Sequence, residues 1–246
     1  MKNKEKIIVV LGPTASGKSD LAVYLAKHFN GEIISADSRQ IYKGLNILSN
    51  KISKSEMKSI KHHMLDIVYP NEKYSLYNWQ KDTFKTIDKI LKKKKTPIIC
   101  GGTGLYICSI IQNYDLHPQE PKLRECPYDY IILGINPDRE KLYKKINTRV
   151  DQMINNKAIN EVKRLYKKYP NKKLVSLSGI GYRQIIEYLD NKVTLEKAIE
   201  NIKRDTRHYA KRQMTWFRRM ENQAIKIYWN KNKTQSKEII RRFLTK

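Results

Sequence analysis

Apolar residues follow two rhythms along this chain. Short unbroken runs at 7–11 (IIVVL), 32–36 (EIISA), 97–100 (PIIC) and 130–135 (YIILGI) are rich in β-branched residues, the pattern of strands buried on both faces of a parallel sheet. Between them the apolar positions fall at helical spacing. The segment after the first run places Leu21, Leu25 and His28 on one face and stops at Asn30-Gly31, where glycine suits a helix C-terminus. Ser75 is placed to cap a helix carrying Leu76, Trp79, Ile87, Ile90 and Leu91; Lys92–Lys95 are expected to finish it at the negative end of its dipole. Asp138 opens a further pattern through Leu142, Ile146, Val150 and Met153, which weakens at Asn155-Asn156 and resumes to Tyr166. A last helix is expected from about Leu195 to Phe217.

Strand and helix thus alternate, which predicts an α/β fold, a parallel sheet flanked by helices. Residues 112–127 hold three prolines and no period, so they form a connector. The expected divisions are 1–111 and 129–202 for two parts of one core, 112–128 for the connector, and 203–246 for a basic helical tail. No internal repeat is visible. No run approaches the roughly 18 apolar residues of a membrane span, so no membrane association is expected. Cys100, Cys108 and Cys126 form no CxxC pair and leave an odd thiol. That disfavours a disulfide framework or a zinc ribbon and suits a cytoplasmic protein.

Charge changes the picture more than length or composition does. The 246 residues carry 50 Lys and Arg against 24 Asp and Glu, a net charge of +26. Residues 1–120 hold 19 basic and 11 acidic side chains, whereas 121–246 hold 31 and 13. A uniform bias toward lysine would not load one half so heavily. A polyanion, most simply a nucleic acid, is the expected partner.

Residues 12–19 read GPTASGKS, a complete phosphate-binding loop between an apolar strand and an amphipathic helix. The turn of Gly12, Pro13, Thr14, Ala15, Ser16 and Gly17 would wrap around an anion so that the N–H groups of its residues other than Pro13 converge on it, and the helix start adds a fixed positive potential. Lys18 supplies a mobile charge, and the Ser19 hydroxyl is the candidate ligand for Mg²⁺. The expected fold is therefore P-loop NTPase-like. The run at 97–100 ends in CGGTG rather than in the aspartate that usually assists such a loop. Asp37, at the end of another strand, is the nearest acid, and it and Thr103 should face whatever Lys18 holds. Asp37 could instead cap the SRQIY segment.

Taken together, GPTASGKS, ADSRQIYKGL (36–45), HHMLDI (62–67), GGTGLY (101–106), GYRQ (181–184) and RHYAKRQMTWFRR (207–219) resemble the tRNA dimethylallyltransferases, also called tRNA isopentenyltransferases. The resemblance runs through most of the chain in the family's order. It implies transfer of a dimethylallyl group from its pyrophosphate to N6 of the adenosine 3′-adjacent to the anticodon, with Mg²⁺ as cofactor and the tRNA anticodon stem-loop as partner. A carboxylate would orient the weakly nucleophilic N6 and take its proton, and Asp37 is the candidate. The resemblance implies that Ser38, Arg39 and Gln40 contact the flipped base and its neighbours and that Thr103 lies near the reacting groups and the RNA. Arg183 of GYRQ would neutralise the pyrophosphate or a tRNA phosphate, unless it simply pairs with a surface acid. A monomer is expected.

Arg204, Arg207, Lys211 and Arg218 fall at helical spacing in a region, 203–246, with 14 basic and 3 acidic side chains. A surface tracking RNA phosphates is favoured over a merely solvated face. The chain departs from the family in one place: only the short connector stands where relatives carry a helical insertion. Arg124 matches an arginine at that insertion's start and is a further RNA candidate. The sequence leaves three other readings open: a P-loop kinase of a nucleoside, nucleotide or small metabolite; an enzyme prenylating free AMP; and a non-catalytic RNA-binding P-loop protein.

Overall fold

The computed structural model describes residues 4–116, 125–171, 174–230 and 232–245. The four apolar runs become strands β1 (Lys6–Leu11), β2 (Gly31–Ala36), β4 (Thr96–Gly101) and β5 (Asp129–Gly134). Two shorter strands escaped the sequence reading, β3 (His62–His63) and β6 (Ile227–Trp229). The strand order is β3-β2-β4-β1-β5-β6, and every pairing is parallel.

The unbroken runs reflect two covered faces. Along β1, Ile7, Val9 and Leu11 pack into the larger core, which holds Trp79 and Phe217. Ile8 and Val10 point the other way, onto Leu21, Leu25 and Ile240. Successive side chains on a strand alternate sides, so neither face can be polar.

On one side lie α1 (Lys18–His28) and α9 (Lys233–Thr245). His28 is exposed rather than part of the apolar face, which runs through Leu21, Ala22, Val23, Leu25 and Ala26. Its ring nitrogen Nδ1 instead lies 2.8 Å from the Tyr24 carbonyl oxygen, the local bond open to a polar ring in the last turn. The opposite side carries α3 (Leu76–Leu91) and α4 (Gly104–Ile111). Ser75 caps α3 as expected, its hydroxyl accepting the Asn78 N–H at 3.1 Å. The helix stops at Leu91, and Lys93 and Lys95 turn back toward the buried Glu32 instead of extending it.

The pattern opened by Asp138 is two helices, α5 (Arg139–Asn155) and α6 (Ala158–Lys168). Lys157, at φ 68°, turns the chain between them. Beyond α2 (Lys54–Met57), α7 (Tyr182–Leu189) and α8 (Leu195–Asn222) complete the helices that frame the site. The last of these crosses position 203 without a break, and β6 beyond it enters the sheet beside β5. All three cysteines are free and buried. Among the described residues, no helix is long and apolar enough to cross a membrane.

Candidate active site

The strands of a parallel sheet point their carboxyl ends to one edge, where ligands of α/β folds bind. Here a cavity of about 560 Å³ opens at that edge, walled by the loop after β1, by residues at the ends of β2 and β4 and by α5, α7 and α8.

The turn after β1 is the phosphate loop. Ala15 and Gly17 take left-handed conformations, at φ 62° and 91°; glycine suits the second because a side chain there is strained. Gly12 is needed for close approach, since a Cβ would sit 2.7 Å from Ser16 Oγ. Ser16 Oγ is buried without a hydrogen-bond partner, an orphan that an anion-bearing loop can tolerate. Thr14, Ala15, Lys18 and Ser19 line the cavity. Burial pulls the Lys18 ammonium below its usual pKa, and nearby Arg149 adds to this against the opposing charge of Asp37. A cation so desolvated favours an incoming anion.

Asp37 also lines the cavity, and its Oδ1 accepts the N–H groups of Arg39 (2.8 Å) and Gln40 (3.4 Å). The carboxylate therefore caps its own turn and faces the site at once. Thr103, two residues past the end of β4, stands behind this wall: its Oγ1 accepts the Ser38 N–H at 3.4 Å. Burial and the charge of Asp37 push the Tyr209 hydroxyl up to about 12, so it remains protonated. Ser38, Arg39 and Gln40 all line the cavity. Arg39 donates to the Val175 carbonyl, and Gln40 Nε2 donates to the carbonyls of Ser49 and Asn50 at 3.3 and 3.2 Å. Those two side chains brace the rim.

Arg183 reaches the same cavity and pairs with Asp205 of α8, an acid of the cavity wall rather than of the outer surface. Gly181, at φ +93°, takes a conformation that is easy for glycine and strained for other residues as the chain enters α7, and a Cβ there would sit 2.9 Å from Leu48 Cδ2. Two further cations were missed from sequence, Arg149 on α5 and Arg212 on α8. The sequence signal for Arg149 is its place beside Ile146, Val150 and Met153, three apolar positions of α5 that form a greasy wall of the cavity.

The face of α8 turned to the cavity carries Asp205, Tyr209, Arg212 and Gln213. At 100° per residue, Arg204, Lys211 and Arg218 project from a different side, and all three are exposed. Arg204 bonds Asp205, and Arg207 donates to Asn147 Oδ1 of α5 at 2.8 Å. None of the four lines the cavity. Arg124 lies outside the described residues. The HHMLDI stretch belongs to the fold, with His63 Nε2 placed 2.7 Å from Glu32 Oε2 at the far edge of the sheet.

Among the described residues, no group of three His, Cys, Asp or Glu could hold a metal. The donors at the loop are hard oxygens, with the Ser19 hydroxyl on the cavity wall. That set fits Mg²⁺ bound mainly by phosphate oxygens and water; it does not fit a metal needing its own cage.

A model of the family described as IPP transferase matches residues 40–126 and 116–220, two pieces that meet at the connector. The tRNA dimethylallyltransferase of Acetivibrio thermocellus is 36% identical over 301 aligned positions, covering 96% of this chain and 95% of the relative. That of Streptococcus agalactiae is 38% identical, covering 89% and 90%. Among solved structures, the full-length tRNA isopentenylpyrophosphate transferase of Bacillus halodurans superposes with a TM-score of 0.89 at 32% identity, covering 98% of this chain and 96% of that one. Similarity carried through both halves of the sheet and along α8 makes this chain a member of the IPP transferase family.

Proposed function

We propose that this protein transfers a dimethylallyl group from dimethylallyl pyrophosphate to N6 of the adenosine 3′-adjacent to a tRNA anticodon, releasing pyrophosphate. The observation that carries this reading is the opening of Lys18 and Asp37 onto one cavity. A phosphate cradle and a carboxylate within one cavity are what the reaction requires. As the allylic C1–O bond breaks, its electron pair leaves with pyrophosphate. The loop N–H groups, Lys18, Arg149 and Arg183 surround the place where that charge grows. The N6 lone pair is delocalised into the ring and makes a poor nucleophile. Asp37 accepts the N6 hydrogen, orients the amine and takes the proton as the C1–N6 bond forms.

Ile146, Val150 and Met153 offer the five-carbon tail a dry wall. Mg²⁺, held by the Ser19 hydroxyl and the pyrophosphate oxygens, would supply further neutralisation of the leaving group. The target base must leave its stack to reach this depth, and the basic exterior of α8 is the surface for RNA phosphates. The protein acts in the cytoplasm as a monomer.

The test is mass spectrometry of tRNA incubated with the protein, Mg²⁺ and dimethylallyl pyrophosphate. The expected result is one added five-carbon unit on the target adenosine. Transfer of phosphate from ATP to a small acceptor, without alkylated tRNA, would refute the reading.

A further inference from the structure

Gln213 is buried on the cavity face of α8, and both ends of its amide are used. Its Oε1 accepts the Thr14 N–H at 2.8 Å, and its Nε2 donates to the Gly102 carbonyl at 2.9 Å. The two partners fix the orientation of the amide, because a backbone N–H can only donate and a carbonyl can only accept. They also lie on two different turns of the site. Thr14 belongs to the phosphate loop, and Gly102 immediately precedes Thr103, which receives the Ser38 N–H.

The glycine opposite Gln213 leaves room for its amide rather than serving a special backbone conformation. A Cβ on Gly102 would lie 2.1 Å from Gln213 Nε2 and 3.2 Å from the Gly12 carbonyl oxygen. One turn further along α8, Trp216 closes on Gly104 in the same way, with Cδ1 2.1 Å from where a Cβ would stand. The GGTG turn is therefore shaped to receive α8. The same helix exposes Lys211, Arg212, Arg218 and Arg219.

From this geometry we infer that Gln213 is a positioning residue that couples RNA docking on α8 to the phosphate cradle. Any shift of α8 caused by RNA moves Thr14 and Gly102 through these two hydrogen bonds, the first part-buried and the second buried. The inference rests on the proposed function, since it takes pyrophosphate and tRNA as the two ligands. By linkage, the effect must be reciprocal: each ligand tightens the other by the same factor.

The experiment measures the affinity of the full chain for inorganic pyrophosphate with Mg²⁺, with and without saturating anticodon stem-loop RNA, by calorimetry. In the unaltered protein the RNA is expected to tighten pyrophosphate binding by about five-fold or more. Gln213→Met keeps the length of the side chain and removes both bonds. It is expected to bring that factor to within about two-fold of unity while RNA binding alone changes little. Should Gln213→Met lose its melting transition, Gly102→Ala breaks the clasp from the other side and carries the same expectation. A factor that survives in the folded variant overturns the inference, as does an unaltered protein that binds both ligands without coupling. Failure of the unaltered protein to bind either ligand would instead overturn the proposed function, and this inference with it.

Discussion

Arg183 enters the cavity already held: its Nη2 donates to Asp205 Oδ2 at 3.1 Å. The same oxygen accepts the Gln184 side-chain amide at 2.8 Å, and Oδ1 accepts Arg204 Nε at 3.0 Å. Partial burial raises the Asp205 carboxyl, but the bonds from Arg204 and Gln184 and the charge of Arg183 outweigh it and hold the group below its usual range. A depressed carboxyl contributes fully above the ordinary carboxylate range and loses that contribution only as pH falls through its lowered value. Arg183 therefore stays held throughout the neutral range. Asp205→Ala should raise the KM for dimethylallyl pyrophosphate about ten-fold, the scale of a lost charged hydrogen bond. Initial rates at varied donor concentration check this, and an unchanged KM would remove Asp205 from the account.

Lys18→Ala should weaken pyrophosphate binding by about 10- to 100-fold, the scale of losing a charged hydrogen bond. Binding of tRNA should be nearly unaffected, because that grip is spread over many basic side chains. Filter binding of labelled tRNA beside calorimetry with pyrophosphate makes the comparison. Equal loss of both would sink the division of labour.

Asp37→Asn keeps the shape of the side chain and its acceptor oxygen for the Arg39 N–H but cannot take a proton. The chemical step should fall by about 10²–10⁴-fold with both substrates still bound. Single-turnover rates read this directly, and a wild-type rate would exclude a catalytic role.

The basic side chains of α8 should divide by face. Lys211 and Arg218 are exposed and do not line the cavity. Changing both to Gln should flatten the salt dependence of tRNA binding by roughly 0.7–0.9 per lost phosphate contact, with the single-turnover rate at saturating tRNA unchanged. Arg212 lies on the cavity wall beside Tyr209, with its guanidinium carbon 5.8 Å from the ring centroid. Arg212→Gln should slow the single-turnover rate itself. Identical behaviour of the two variants would show that the faces are not distinct.

Glu32 tests stability apart from chemistry. Burial raises its carboxyl, yet Lys95 at 2.9 Å and His63 at 2.7 Å overcome this and bring it down to about 2. Its stabilising contribution is thus complete above the ordinary carboxylate range and is lost as pH falls toward 2. Glu32→Gln should cost about 1–3 kcal/mol by urea unfolding at neutral pH. Activity of the folded fraction should stay normal, because the strand carries Asp37 about 16 Å away. A variant as stable as the parent would refute the pairing's contribution.

Much of the fold was legible in the chain because local patterns and tertiary burial agree. Unbroken β-branched runs mean strands covered on both faces, and Ile7 to Leu11 alternate between two cores as that rule requires. The two strands without a sequence pattern of their own, His62–His63 and Ile227–Trp229, are short edge strands set by pairing with a neighbour. His28 lies exposed although it falls at the helical period of Leu21 and Leu25, because period alone does not reveal where the buried arc of a helix ends.

The sequence by itself determined the chemistry of the loop and the acid. GPTASGKS can wrap an anion wherever it is placed, and a strand ending in Asp37 must deliver that carboxylate to the ligand edge of a parallel sheet. Only the tertiary structure decided which face of α8 meets the site. A charge stripe identifies a polar arc without saying what lies opposite it, and the stripe of Arg204, Lys211 and Arg218 turned out to be the outer one. Asp205, Tyr209 and Gln213 face inward because α8 packs against α5, α7 and the GGTG turn, contacts between residues far apart in the chain. Such contacts leave no periodic trace, so the partners that α8 gives to Thr14 and Arg183 are set by the packed helix alone.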